Sequence, residues 1–131
     1  MEEDILYAYE QAWVAWNESG KIPDPNYPGI REWIVEDSPA FNAVVDNRTE
    51  LLANDLHVEG DFISSPEIFS IDGQTAIVHD CQLDRAARYT ADGVALDELR
   101  PYPIFWEGEL RLTESGWKAY EMRTSLERCE Q

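Results

Sequence analysis

Ile5, Tyr9, Ala12, Trp13 and Trp16 recur at helical spacing near the start of the chain and form one broad apolar face crowded with aromatic rings. A lone helix cannot bury rings of that size; it needs a concave partner. The rest of the sequence offers one. After about residue 56 the pattern switches to period two, with turn signals at Asp72-Gly73, Asp92-Gly93 and Glu114-Ser115-Gly116. Helices first and antiparallel strands after point to an α+β fold. In it the aromatic helix lies in the concavity of a strongly curved sheet. Such a cone has a mouth that can hold a ligand.

The 131 residues suffice for one domain, 1–131, divided into a helical layer over 1–55 and an antiparallel sheet over 56–128. A hydrophobic content of 44%, with 5 Trp, 6 Tyr and 4 Phe, supplies a core and argues against disorder of the whole chain. The formal charge is −17, from 27 acids against 10 bases. That balance repels nucleic acid and anionic membranes, so no direct nucleic-acid partner is expected. A protein partner that used this surface would be basic. The acids are spread along the chain, as in a solvating surface, rather than massed in a tail. No apolar run approaches the roughly 18 residues of a membrane span. The chain opens Met-Glu-Glu-Asp, acidic where a signal peptide is basic. This leaves two readings of location: cytoplasmic, or extracytoplasmic with a leader removed.

The spacing predicts a first helix from about Glu3 to Ser19, stopped by Gly20, with Glu2, Glu3 and Asp4 complementing its dipole. The run from Lys21 to Pro28, with Ile22-Pro23-Asp24-Pro25-Asn26-Tyr27-Pro28 in it, must be a loop. A short helix follows over about Gly29 to Glu36. Ser38-Pro39 reads as an N-cap with proline at the first helical position. The third helix runs to about Asn54, with Phe41, Val44, Val45, Arg48 and Leu52 on its face. Strands are expected over 57–63 and 66–71, with Pro66 marking an edge or bulge. Thr75 to Tyr89 reads as one long strand or a strand with a bulge, and 104–112 with 117–126 as the last hairpin. On the long strand, Ala76, Val78, Asp80 and Gln82 make the more polar face, and Ile77, His79, Cys81 and Leu83 the more apolar one.

Cys81 and Cys129 match no zinc spacing and form no C-x-x-C. The pair is compatible with one disulfide, which would stabilise by roughly 3–4 kcal/mol, or with two free thiols.

The layout resembles the NTF2-like superfamily, and more narrowly its small SnoaL-like domains from actinobacterial secreted and lipid-anchored proteins. Tyr9, Trp13-x-x-Trp16 and Asp24-Pro25 carry the resemblance. So do Gly73-x-Thr75-Ala76-x-Val78-x-Asp80-Cys81, Gly116-Trp117-Lys118 and the near-terminal Cys129. It implies the cone inferred above, a Cys81–Cys129 pairing like that of secreted relatives, and a homodimer formed through the open sheet face. For an enzyme it implies an Asp base with a Tyr or Asp donor, or a His–Asp pair, inside the cone.

The candidates for chemistry are His79 and Asp80. Being adjacent on a strand, they point to opposite faces and cannot form a dyad with each other. A lone histidine on an apolar face is more often a hydrogen-bonded core residue than a base. Tyr9, Trp13, Trp16, His79, Trp106 and Tyr120 are candidates to stack on or line a bound ligand. The simpler use of the aromatic ones is core packing under the sheet. Arg111 and Arg123 are candidates for an anion clamp or for structural ion pairs, and Glu107 and Glu109 share one strand face. No phosphate-binding glycine loop, no G-x-S-x-G and no metal cluster occurs, and no cofactor is called for. Three functions fit the sequence. The first is a non-catalytic NTF2-like module that binds a small apolar ligand or a protein partner. The second is a SnoaL-like enzyme acting by proton abstraction, an isomerase or dehydratase, with His79 or Asp80 as base and Tyr9 or Tyr120 as donor. The third is an acidic, phage-encoded mimic of nucleic acid.

Overall fold

The computed structural model describes all residues, Met1–Gln131. Helix α1 (Glu2–Lys21) runs along the sheet and buries Ile5, Ala8, Tyr9, Ala12 and Trp13. Helices α2 (Pro28–Trp33) and α3 (Pro39–Ala53) complete the helical layer. Seven strands follow: β1 (Leu56–Glu59), β2 (Phe62–Ile63), β3 (Pro66–Asp72), β4 (Thr75–Asp84), β5 (Ala87–Thr90), β6 (Ile104–Thr113) and β7 (Gly116–Arg128). All strand pairs are antiparallel. Strand β4 is paired on one side with β2 and β3 and on the other with β6, which in turn pairs with β7. Strands β1 and β5 form a separate two-stranded ribbon. This is the α+β arrangement expected, with α1 in the concavity of an open antiparallel sheet.

The core forms in two clusters. One gathers Ile5, Tyr9 and Trp13 from α1 with Ala76, Val78, Leu110 and Trp117 from the sheet. The other joins Ala12 and Ile30 to Phe41 and Val44 of α3 and Ala119 of β7. Ser38 caps α3 as expected, its Oγ accepting from the Phe41 N–H at 3.2 Å. Cys81 and Cys129 are bonded, their Cα atoms 5.8 Å apart, and this ties the end of the chain back to β4.

Five expectations need correction. Gly20 does not stop α1, which continues to Lys21. It is glycine because a Cβ there would sit 2.9 Å from the Arg48 guanidinium and from Val58. On α3, Leu51 is the buried leucine and Leu52 is half exposed, because Val44, Arg48 and Leu51 continue the buried face at i, i+4 and i+7. Helix α2 ends at Trp33, where Ile34 leaves helical geometry to bridge β7 at Ala119. The stretch 57–63 is two strands in two sheets, broken at Gly60. Its φ is 104°, and a Cβ there would meet the Arg85 carbonyl at 2.0 Å, so only glycine fits. The stretch 75–89 likewise divides, into β4 and β5. Pro66 stands on β3 at the sheet edge, and the β3 bulge falls between Ile68 and Ser70.

The two faces of β4 are also used in the opposite sense to their polarity. Ala76, Val78, Asp80 and Gln82 are all buried against the helices, while Ile77, His79 and Cys81 face outward and are half buried. Small side chains leave room for Tyr9 and Trp13, and of the two polar ones Gln82 donates towards Asp80 inside.

Candidate functional site

Tyr9 reaches from α1 to β4 and donates its hydroxyl hydrogen to Asp80 Oδ2 at 2.7 Å. The approach depends on Gly108 of β6, where a Cβ would lie 2.7 Å from the tyrosine ring. Asp80 is 1% exposed. Its Oδ1 accepts from the Ser65 N–H at 2.7 Å, a bond supplied by the β2–β3 corner. Gln82, wholly buried, donates from Nε2 to Ser64 Oγ at 3.3 Å and towards Asp80 Oδ2 at 3.4 Å. Burial, with the adjacent Asp80 carboxylate adding to it, pushes the Tyr9 phenol well above its ordinary range.

Around this chain the cone is filled with rings. Trp13 lies 5.0 Å from Phe62, 5.1 Å from Trp106 and 5.5 Å from Trp16, centroid to centroid. The indole nitrogens of Trp13 and Trp106 are buried without an acceptor in hydrogen-bond geometry. Thus the structure brings Tyr9, Trp13, Trp16, Trp106 and Asp80 together in the interior. Asp80 lines none of the larger cavities; a recess of about 360 Å³ beside the rings is lined by Trp13, Asn17, Phe62 and Ser64.

His79 and Tyr120 do not join them. His79 stacks on Phe69 at 4.1 Å on the outer sheet face, and its Nε2 lies 3.0 Å from Glu107 Oε1. Tyr120 falls at the β6–β7 bulge and lies under the Arg111 guanidinium, 3.4 Å from the ring centroid. Arg123 bonds Glu107, Glu109 and Glu121, so the outer arginines and glutamates form ion pairs with one another. His79, with Arg123 after it, holds the Glu107 carboxyl below its ordinary range.

A roofed opening lies elsewhere, where β4 ends and β6 begins. There the 91–103 connection roofs a cavity of about 440 Å³ lined by Gln82, Asp84, Leu96, Leu99, Tyr102 and Ile104, among others. Burial raises the Asp84 carboxyl, opposed by its bond from the Ala86 N–H and by Arg100. Asp97, also at this rim, is held by Arg88 through its side chain and backbone N–H. A smaller recess of about 230 Å³ shares Asp84, Ala86 and Asp97 and reaches Asn17 and Arg48. Arg48 is 3% exposed with no carboxylate partner. Its guanidinium bonds Ser19 Oγ at 3.0 Å, the Trp16 carbonyl and Asn47 Oδ1. Burial pushes it down to about 10. No group of three or more His, Cys, Asp or Glu is placed to hold a metal ion.

Sequence reasoning did not single out Gln82 or Asp84 as site residues. The signal for Gln82 was present in the alternation Ala76-Val78-Asp80-Gln82, which assigns it to the same face as Asp80. Asp84 carried none, because its surroundings come from the distant 91–103 connection.

No protein-family model matches the sequence, and no curated protein matches it. Solved structures do match in shape. The intermembrane space region of the chloroplast protein ARC6 superposes with a TM-score of 0.71 over 95% of both chains, at 16% identity. A protein assigned as an aromatic ring hydroxylase from Novosphingobium aromaticivorans gives 0.60 at 18% identity, over 94% of this chain and 90% of that one. A protein from Streptomyces avermitilis assigned as a dehydratase of the NTF2-like family gives 0.53 at 15% identity, over 92% and 91%. The fold of this chain is therefore the NTF2-like cone. At these identities the likeness speaks for the fold alone.

Proposed function

We propose that this NTF2-like chain is a binding module that holds a small molecule at the mouth of its cone and does no chemistry on it. The observation behind this reading is a division of labour along β4. Asp80, the one interior carboxylate placed as a base would be, is 1% exposed, is enclosed by Tyr9, Ser65 and Gln82 and lines none of the larger cavities. Two residues further on, the same strand ends in a roofed cavity of about 440 Å³, within the usual range for small-molecule sites. Its walls mix Leu96, Leu99 and Ile104 with polar groups, so the ligand is not purely apolar. The test is a small-molecule screen by thermal shift on the intact chain and on Ala86→Phe, which fills the cavity. Hits that raise the melting temperature of the native chain and not of a folded Ala86→Phe support the reading. Hits unaffected by the substitution, or none at all, remove it.

A proton-abstraction enzyme is the second reading, and the 2.7 Å Tyr9–Asp80 contact is what favours it. It requires the ring cluster over Asp80 to open for substrate. Turnover abolished by Asp80→Asn with folding intact would establish it over the binding module.

A further inference from the structure

Gln82 combines two properties that rarely coexist. It is wholly buried, and its Oε1 has no hydrogen-bond partner. A buried acceptor left unmade costs about 1–3 kcal/mol, so such an atom marks a place where something else donates. The amide cannot be relieved by turning over. Its Nε2 faces Asp80 Oδ2 and Ser64 Oγ, and a carboxylate that already accepts from Tyr9 would repel Oε1 in that position. The Tyr9–Asp80–Gln82 chain thus fixes the orientation of the amide, and Gln82 is among the residues that line the mouth cavity.

The charges at the cavity have the same sense. Asp84, Asp97 and Glu98 line it against Arg100 alone. Asp97 is occupied by Arg88. Asp84 accepts one protein hydrogen bond, from the Ala86 N–H at 2.8 Å to Oδ1, and none on Oδ2. Leu96, Leu99, Tyr102 and Ile104 supply apolar wall. These carboxylates are not grouped closely enough to hold a bare metal ion.

We infer that the mouth cavity takes a small organic cation of the amine or amidine class, which donates an N–H to Gln82 Oε1, sets its charge against Asp84 and packs its carbon body on Leu96, Leu99 and Ile104. This rests on the mouth being a small-molecule site. Asp80 acts here as a positioning residue that holds the Gln82 amide.

The test titrates the intact chain with three probes of one size: benzamidine (cationic), benzoate (anionic) and benzyl alcohol (neutral). Binding is read by calorimetry and by amide NMR shifts at Gln82, Asp84, Tyr102 and Ile104. Benzamidine is expected to bind at least about tenfold more tightly than either of the others. Asp84→Asn and Gln82→Met are each expected to weaken benzamidine about tenfold and leave benzyl alcohol unchanged. Asp84 is only half buried, so its variant remains informative if Gln82→Met does not fold. Benzoate binding as well as benzamidine, or benzamidine binding Asp84→Asn as tightly as the native chain, overturns the cation inference. If benzyl alcohol still shifts Tyr102 and Ile104, the mouth site itself survives that result. No shift at these residues from any probe overturns both.

Discussion

Asp80 and Tyr9 show how a buried polar pair is made tolerable. The carboxylate is taken out of water, which costs several kcal/mol, but accepts charge-assisted bonds from a phenol and a backbone N–H. Tyr9→Phe is therefore expected to destabilise the fold by about 1.5–3 kcal/mol, the worth of a hydrogen bond to a charged group, in a urea melt. A substitution costing nothing would mean that water replaces the hydroxyl. The raised phenol gives a second reading of the same pair. Unfolded tyrosine loses its proton near pH 10. Tyr9 keeps its own in the native state, so its contribution is full below about pH 10 and is lost as pH rises beyond that. Ultraviolet titration of the native chain is expected to leave Tyr9 un-ionised until alkaline unfolding. Arg48 is the other costly burial. Its guanidinium donates to the Trp16 carbonyl, the Ser19 hydroxyl and the Asn47 amide oxygen, neutral acceptors that stand in for the missing carboxylate.

Each element owes its place to a small number of such contacts. Helix α1 can lie on the sheet because Ala76 and Gly108 are small where Tyr9 and Trp13 are large. Strand β7 runs past the hairpin, and its far end is held to β4 by the Cys81–Cys129 bond across 48 residues. Gln131 adds bonds to the carbonyls of Ile63 and Cys81. The cross-link acts mainly by restricting the unfolded chain. Reduction is expected to cost roughly 3–4 kcal/mol in a denaturant melt, with the fold retained. An unchanged midpoint after complete reduction would show that the bond contributes nothing to stability.

Across the whole molecule the dominant fact is the −17 charge. The ion pairs that exist, such as Arg123 with Glu107 and Arg88 with Asp97, are exposed, and pairs of that kind contribute little each. Self-repulsion among the remaining acids is expected to outweigh them. Screening at a Debye length of about 10 Å in 0.1 M salt weakens that repulsion. The melting temperature is therefore expected to rise between low and moderate NaCl. A steady fall over the same range would show attraction to be the larger effect.

The cone was legible before any coordinate, because periodicity is a local property. Ile5, Tyr9 and Trp13 at helical spacing, Ser38-Pro39 before α3, and the three strand turns each act within a few residues. The resemblance carried by Cys81 and Cys129 likewise led to the bond between them. Residue identity alone could not decide which face of β4 turns inward. Alternation fixes that His79 and Asp80 oppose each other, but the choice of side came from the ring of Tyr9, distant in sequence, and from Gly108, which admits it. The break at Gly60 was hidden for the same reason, since its cause is the Arg85 carbonyl. The mouth cavity was the least legible feature of all. Asp84 gains its setting only when the 91–103 connection folds over the ends of β4 and β6. Gln82 becomes an unpaired acceptor only once Asp80 and Ser64 have claimed the other end of its amide. Local spacing determined the elements; long-range packing decided which polar atoms they left unsatisfied.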